Sequence, residues 1–188
     1  MTELAALKEA VEACRRCHLR DGARNVVFGE GNPHARVMLI GEGPGRQEDL
    51  QGRPFVGAAG QLLDKIIAAC GWQRSEVYIA NIVKCRPPNN RVPTIQEAQT
   101  CMAWLDQQIR LIAPELIIAL GSTAARHLIN PNFRITRSRG HWFEYKGIPV
   151  MPTFHPAALL RDPSKKRPVW EDFKQVIAFL EQDEACSR

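Results

Sequence analysis

Residues 37–49 read VMLIGEGPGRQED. Four apolar residues run directly into a glycine-rich turn, and polar and acidic residues follow. A short, continuously apolar run bounded by glycine is the pattern of a strand buried on both faces. Strands of this kind belong to parallel sheets, and the turn at their carboxyl end is where open α/β sheets bind ligands. The spacing is not that of a dinucleotide fingerprint. G-x-G-x-x-G requires glycine at position 46, which is Arg46, and Pro44 removes a backbone donor. The turn reads instead as a place where backbone comes close to a small, flat ligand.

The same kind of run recurs outward along the chain. Residues 77–83 (VYIANIV) and 116–120 (LIIAL) read as further strands. Residues 141–145 and 150–154 read as two more, joined by a turn at Lys146-Gly147. Helical spacing covers residues 4–13 and 58–69, a short stretch from Gly121-Ser122 to Leu128, and residues 169–180. A long helix opens at Pro93-Thr94 and runs to about Ile112, with Thr94 and Glu97 spaced as a capping box. Strands alternating with helices predict a single three-layer α/β/α domain over residues 1–188, built on a central, mostly parallel four-stranded sheet. The segment RPPNNRVP at 86–93 reads as a loop inside that domain.

Composition narrows the class. The chain has 188 residues, 25 Lys and Arg, 20 Asp and Glu, and a net charge of +5. It is 45% apolar, which is ordinary for a globular protein. No apolar run approaches the ~20 residues of a membrane span, and the start MTELAALKEAVEAC lacks the layout of a signal peptide. The expectation is a soluble, cytoplasmic protein, most simply a monomer, whose six cysteines serve something other than structural disulfides. The charge is uneven. Residues 120–174 hold ten Lys and Arg against four Asp and Glu, so the whole excess lies there. This is the footprint of a polyanion partner, or else a solvated basic face.

Cys14 and Cys17 form C-x2-C, Cys85 ends the second strand, and Cys101 lies on the long helix. A C-x2-C turn aims two sulfurs at one point, and two cysteines from distant segments can complete a four-thiolate set for zinc or an iron–sulfur cluster. The competing reading makes Cys85 and Cys101 small buried hydrophobes. Cys70 and Cys186 read as structural. Asn81 falls inside an apolar strand, where an amide is either satisfied by the fold or aimed at a ligand with both a donor and an acceptor. His155 falls at a strand end, and Phe55 lies in the loop GRPFVG at 52–57.

Taken in order, Cys14-x2-Cys17, GEGPGRQED at 41–49, GRPFVG, YIANIVKCRPP at 78–88, Cys101, LIIALG and HPAALLR at 155–161 resemble the uracil-DNA glycosylase superfamily. In detail they are similar to its family 4, the iron–sulfur branch. The resemblance implies a 4Fe-4S cluster on Cys14, Cys17, Cys85 and Cys101, tethering residues 1–24 to the rest of the domain. It implies a uracil pocket in which Phe55 stacks on the base, Asn81 reads its edge, backbone at Gly41 and Gly43 contacts it, and His155 faces O2. It implies uracil-containing DNA, single- or double-stranded, as the partner. Leu159 would then wedge into the stack vacated by a flipped base, and Arg161, Lys165, Lys166 and Arg167 would hold phosphates. One departure stands out. The best-known branch has a water-positioning Asp where this chain has Gly43, so Glu42, with Glu48 second, is expected to handle the attacking water. The alternative function is a non-enzymatic iron–sulfur or zinc protein that binds nucleic acid.

Overall fold

The computed structural model describes residues 2–186, with side chains described for residues 2–182. The strands are β1 (Glu30–Gly31), β2 (Val37–Gly41), β3 (Tyr78–Asn81), β4 (Leu116–Leu120), β5 (Phe143–Tyr145) and β6 (Ile148–Thr153), in the sheet order β1-β3-β2-β4-β6-β5. The four inner strands β3, β2, β4 and β6 are parallel, and β1 and β5 close the two edges antiparallel. The sheet therefore has six strands rather than the expected four. The parallel core matches the expectation and the α/β class holds. The strand with no sequence signal is β1, because a two-residue Glu-Gly pairing carries no periodicity. The strand pair β5–β6 turns through Lys146 (φ 50°) and Gly147 (φ 83°), the left-handed pair that a two-residue hairpin requires.

Alternation along the strands divides the core into two layers. Met38, Ile40, Tyr78, Ala80, Ile117, Ala119 and Val150 pack with helices Glu3–Glu12, Ile95–Ile112 and Ser122–Leu128. Their neighbours Val37, Leu39, Ile79, Leu116, Ile118, Leu120 and Met151 pack on the other face with helices Ala58–Ala69, Pro156–Arg161 and Lys166–Cys186. Both faces of the sheet are thus covered, which is why these strands read as unbroken apolar runs.

The order of connections positions the site. Adjacent strands β2 and β4 send the chain to opposite faces, into helix Ala58–Ala69 and helix Ser122–Leu128 respectively. Where neighbours diverge in this way a crevice opens beyond their carboxyl ends. The amino-terminal segment is held by packing of Leu7 and Val11 and by Asp49, whose buried carboxylate accepts the Arg24 and Asn25 N–H groups at 2.9 and 3.2 Å. Among the described residues no helix is long and apolar enough to cross a membrane.

The capping box on the long helix forms as its spacing predicts: Thr94 Oγ1 accepts the Glu97 N–H at 3.2 Å, and Glu97 Oε2 accepts the Thr94 N–H at 2.8 Å. Thr94→Ala is expected to cost about 1 kcal/mol, read as a lower urea midpoint with an unchanged slope.

Candidate active site and four-cysteine centre

The carboxyl ends of the four parallel strands surround a cleft of about 700 Å³. β2 leads into the turn of residues 42–45, β3 contributes Asn81, β4 leads into Gly121-Ser122-Thr123, and β6 leads into Phe154-His155. Asn81 is 2% exposed, and its Oδ1 is buried with no hydrogen-bond partner. An orphaned amide oxygen in a cavity wall is costly unless a ligand satisfies it. Space above it depends on Gly41, where a Cβ would lie 2.6 Å from both Asn81 Oδ1 and Phe55 Cζ.

Phe55 is 6% exposed and sits at φ 49°, a strained conformation for a bulky residue. Its surroundings enforce that turn. Arg74 donates to the Phe55 carbonyl at 3.1 Å and the Pro54 carbonyl at 2.5 Å while pairing with Glu30 and Asp64. Gly60 lets the turn pass: a Cβ there would lie 2.0 Å from the Phe55 carbonyl carbon. The Phe55 ring stacks against His155 at 5.5 Å between centroids, tilted by 27°.

His155 caps helix Pro156–Arg161, its Nδ1 accepting the Ala157 N–H at 3.1 Å. A neutral ring with Nδ1 as acceptor carries its proton on Nε2. Burial pushes its pKa down to about 4, reinforced by the positive charge of Arg161 and opposed by Glu48. Gly121, at φ 91°, leaves room for the ring, since a Cβ there would approach His155 Cβ to 2.9 Å.

The two glutamates differ. Glu42 lines the cleft and its Oε2 accepts the Thr123 hydroxyl. Glu48 also borders the cleft, but its carboxylate is occupied by backbone. Oε1 accepts the Val56 and Gly57 N–H groups at 2.9 and 2.8 Å, and Oε2 accepts that of Gly45 at 3.1 Å. It ties the glycine turn to the Phe55 loop, a structural duty that argues against its expected place as a water-handling base.

The expectation for Leu159 is corrected. Leu159 is 1% exposed and belongs to the core, whereas Leu160 is 49% exposed. Arg161 borders the cleft, and Lys166 and Arg167 are exposed beyond it. Lys165 is ion-paired with Asp162 at 3.0 Å.

Cys14, Cys17, Cys85 and Cys101 line one cavity with apolar walls from Val11, Leu19, Val26 and Val83. Two N–H groups point at sulfur: Trp104 Nε1 donates to Cys14 Sγ and the Lys84 N–H to Cys101 Sγ, each at 3.3 Å. Burial pushes the Cys85 thiol up to about 12 and raises that of Cys101. Among the described residues no group of three Cys, His, Asp or Glu side chains is arranged to hold a single metal ion. Soft donors, a water-poor wall and N–H···S bonds suit a thiolate-held iron–sulfur cluster. Cys70 is apart from this set and its burial raises its thiol to about 12, which suits an inert residue. The side chain of Cys186 lies outside the described residues. Sequence reasoning missed Thr123, Arg74 and Lys84. Of these, only the Ser-Thr pair following LIIALG carried a usable signal.

Residues 28–174 match the model of the uracil DNA glycosylase superfamily, and the chain belongs to that superfamily. Within it the chain is similar to proteins named type-4 uracil-DNA glycosylase. It is 44% identical to that of Thermotoga maritima, with 94% of each chain covered, and 44% identical to that of Sulfurisphaera tokodaii, with 94% of this chain and 84% of the relative covered. The protein of Archaeoglobus fulgidus is 40% identical over 94% of this chain and 92% of its own. A type-5 uracil-DNA glycosylase of Pyrobaculum aerophilum is more distant, at 29% identity over 83% of this chain.

The state of His155 is directly measurable. Its folded pKa of about 4 lies below the ordinary 6.5, so the unfolded chain binds the extra proton between those values and stability falls as pH drops through that window. Unfolding in urea at pH 7 and pH 5 should show a larger loss for the parent than for His155→Gln. Long-range ¹H–¹⁵N spectra should place the His155 proton on Nε2 at pH 7.

Proposed function

We propose that this chain is a DNA-repair glycosylase that hydrolyses the N-glycosidic bond of uracil in DNA, releasing free uracil and leaving an abasic site. The observation that carries the reading is the unpaired amide oxygen of Asn81 in the wall of the cleft. Uracil offers an N3–H donor to Asn81 Oδ1 and an O4 acceptor to its Nδ2. Cytosine offers an acceptor at N3 and a donor at C4, so the same amide orientation would oppose both. A site built to hydrogen-bond one edge rejects the other strongly. A non-enzymatic protein that holds nucleic acid through its phosphates alone would give this amide no purpose.

Each remaining residue has a duty on this reading. Phe55 stacks on the base and Gly41 and Gly43 let backbone approach it. Scission sends the bonding electron pair from C1′–N1 into the uracil ring, where charge gathers on O2. The Nε2–H of neutral His155 donates to that oxygen, the arrangement that stabilises a developing oxyanion. Water adds to C1′ and its proton passes to Glu42, which the Thr123 hydroxyl orients; Glu48 holds the loops in register. The base must leave the duplex to reach the cleft. Leu160 is the residue exposed to fill the vacated stack, and Arg161, Lys166 and Arg167 face the backbone phosphates. Cys14, Cys17, Cys85 and Cys101 hold a 4Fe-4S cluster, which when bound supplies a cross-link between the amino-terminal segment and the loop after β3.

The test is uracil release from a U-containing oligonucleotide followed by alkali cleavage. Asn81→Ala and His155→Ala should each lower single-turnover rates on the order of a hundredfold or more, with folding intact. Release of no uracil by the iron-loaded parent from either single strands or U·G duplex overturns the assignment. Leu160→Ala should weaken action on duplex more than on single strands, and Leu159→Ala should lower the melting temperature instead. Replacing Arg167 by Ala should reduce the slope of log K against log salt by roughly one.

A further inference from the structure

Lys84 is 1% exposed and is among the largest fully buried side chains of the molecule. Lysine is almost never fully buried unless paired. Among the described residues its ammonium hydrogen-bonds to two neutral acceptors, the Asn81 carbonyl at 3.1 Å and Gln108 Oε1 at 2.5 Å. Gln108 is oriented for this by donating Nε2 to the Phe28 carbonyl at 2.9 Å and to the Tyr78 hydroxyl at 3.3 Å. Among the described residues no carboxylate forms an ion pair with Lys84. An isolated buried charge is strongly unfavourable, and an anion beside Lys84 would offset that cost. Lys84 lines the four-cysteine cavity, and its backbone N–H donates to Cys101 Sγ. A set of four thiolates around an iron–sulfur core is net negative and would supply that anion.

We propose that Lys84 is the buried countercharge of the four-cysteine centre, beside the more exposed Arg16 and Arg20 that also line the cavity, and a positioning residue that joins this centre to Asn81. The proposal rests on the cluster assignment above. Its backbone N–H reaches the centre while its side chain fixes the Asn81 carbonyl, so one residue spans the wall between cavity and cleft. Charge, rather than volume, is what the position supplies. Removing the positive charge should make adding an electron to the centre harder and holding it in the protein less favourable.

Lys84→Met deletes the charge and keeps an unbranched apolar chain of similar length. Lys84→Gln deletes the charge but retains an N–H donor for the same two acceptors, which safeguards folding. Iron and sulfide per chain, the visible spectrum and the reduction potential are to be measured on the as-isolated protein and both variants. The expected result is a more negative potential and faster loss of iron to a chelator in each variant that folds by circular dichroism. A folded variant with unchanged potential and unchanged iron retention overturns the proposal. A parent protein without stoichiometric iron and sulfide overturns the cluster assignment itself, which is a separate outcome.

Discussion

An amide oxygen buried without a partner is unfavourable, and Asn81 Oδ1 is in that state at the wall of the cleft. The strand β3 delivers the residue to the mouth of the sheet, and the Lys84 ammonium holds its carbonyl from behind. Gly41 withholds the one Cβ that would fill the space in front of it. The Phe55 turn, strained at φ 49°, brings an aromatic ring to the same space. Strain and unsatisfied polarity are both stored beside one cavity, and both are the kind of local cost that persists only where the surroundings over-determine it.

The parallel topology makes this affordable. β2, β3, β4 and β6 end side by side, so residues distant in the chain meet without any long excursion. The divergence of β2 and β4 to opposite faces leaves the crevice, and the helices on each face are anchored by separate apolar layers. The floor of the cleft is therefore part of the core, while Arg161 at its border, and Leu160, Lys166 and Arg167 nearby in the chain, are exposed.

Much of this was legible in the sequence, for reasons that can be named. The runs at 37–40 and 116–120 announce buried parallel strands because both of their faces are covered, and Thr94-x-x-Glu97 announces a helix start because two side chains alone make the box. The bracing contacts of Glu48 were not legible, because its partners are backbone N–H groups, which carry no sequence signature. Leu159 and Leu160 are chemically alike and about 100° apart on a six-residue helix. Only docking of that helix decides which faces the core. Lys84 and Arg74 carry no distinguishing signal in the sequence, since burial and a hub of distant partners are properties of the folded chain. The strand β1 was invisible because two residues hold no pattern.

The Arg74 fixture has a consequence for where motion resides. With Pro54 and Phe55 both held through their carbonyls, and Glu30 and Asp64 bracing the guanidinium, the aromatic floor is set before anything arrives. On the proposed reading, a floor braced in this way leaves the larger rearrangement to the DNA, which must unstack the target base, so a loosely stacked neighbourhood would present its base at lower cost than a well-stacked one.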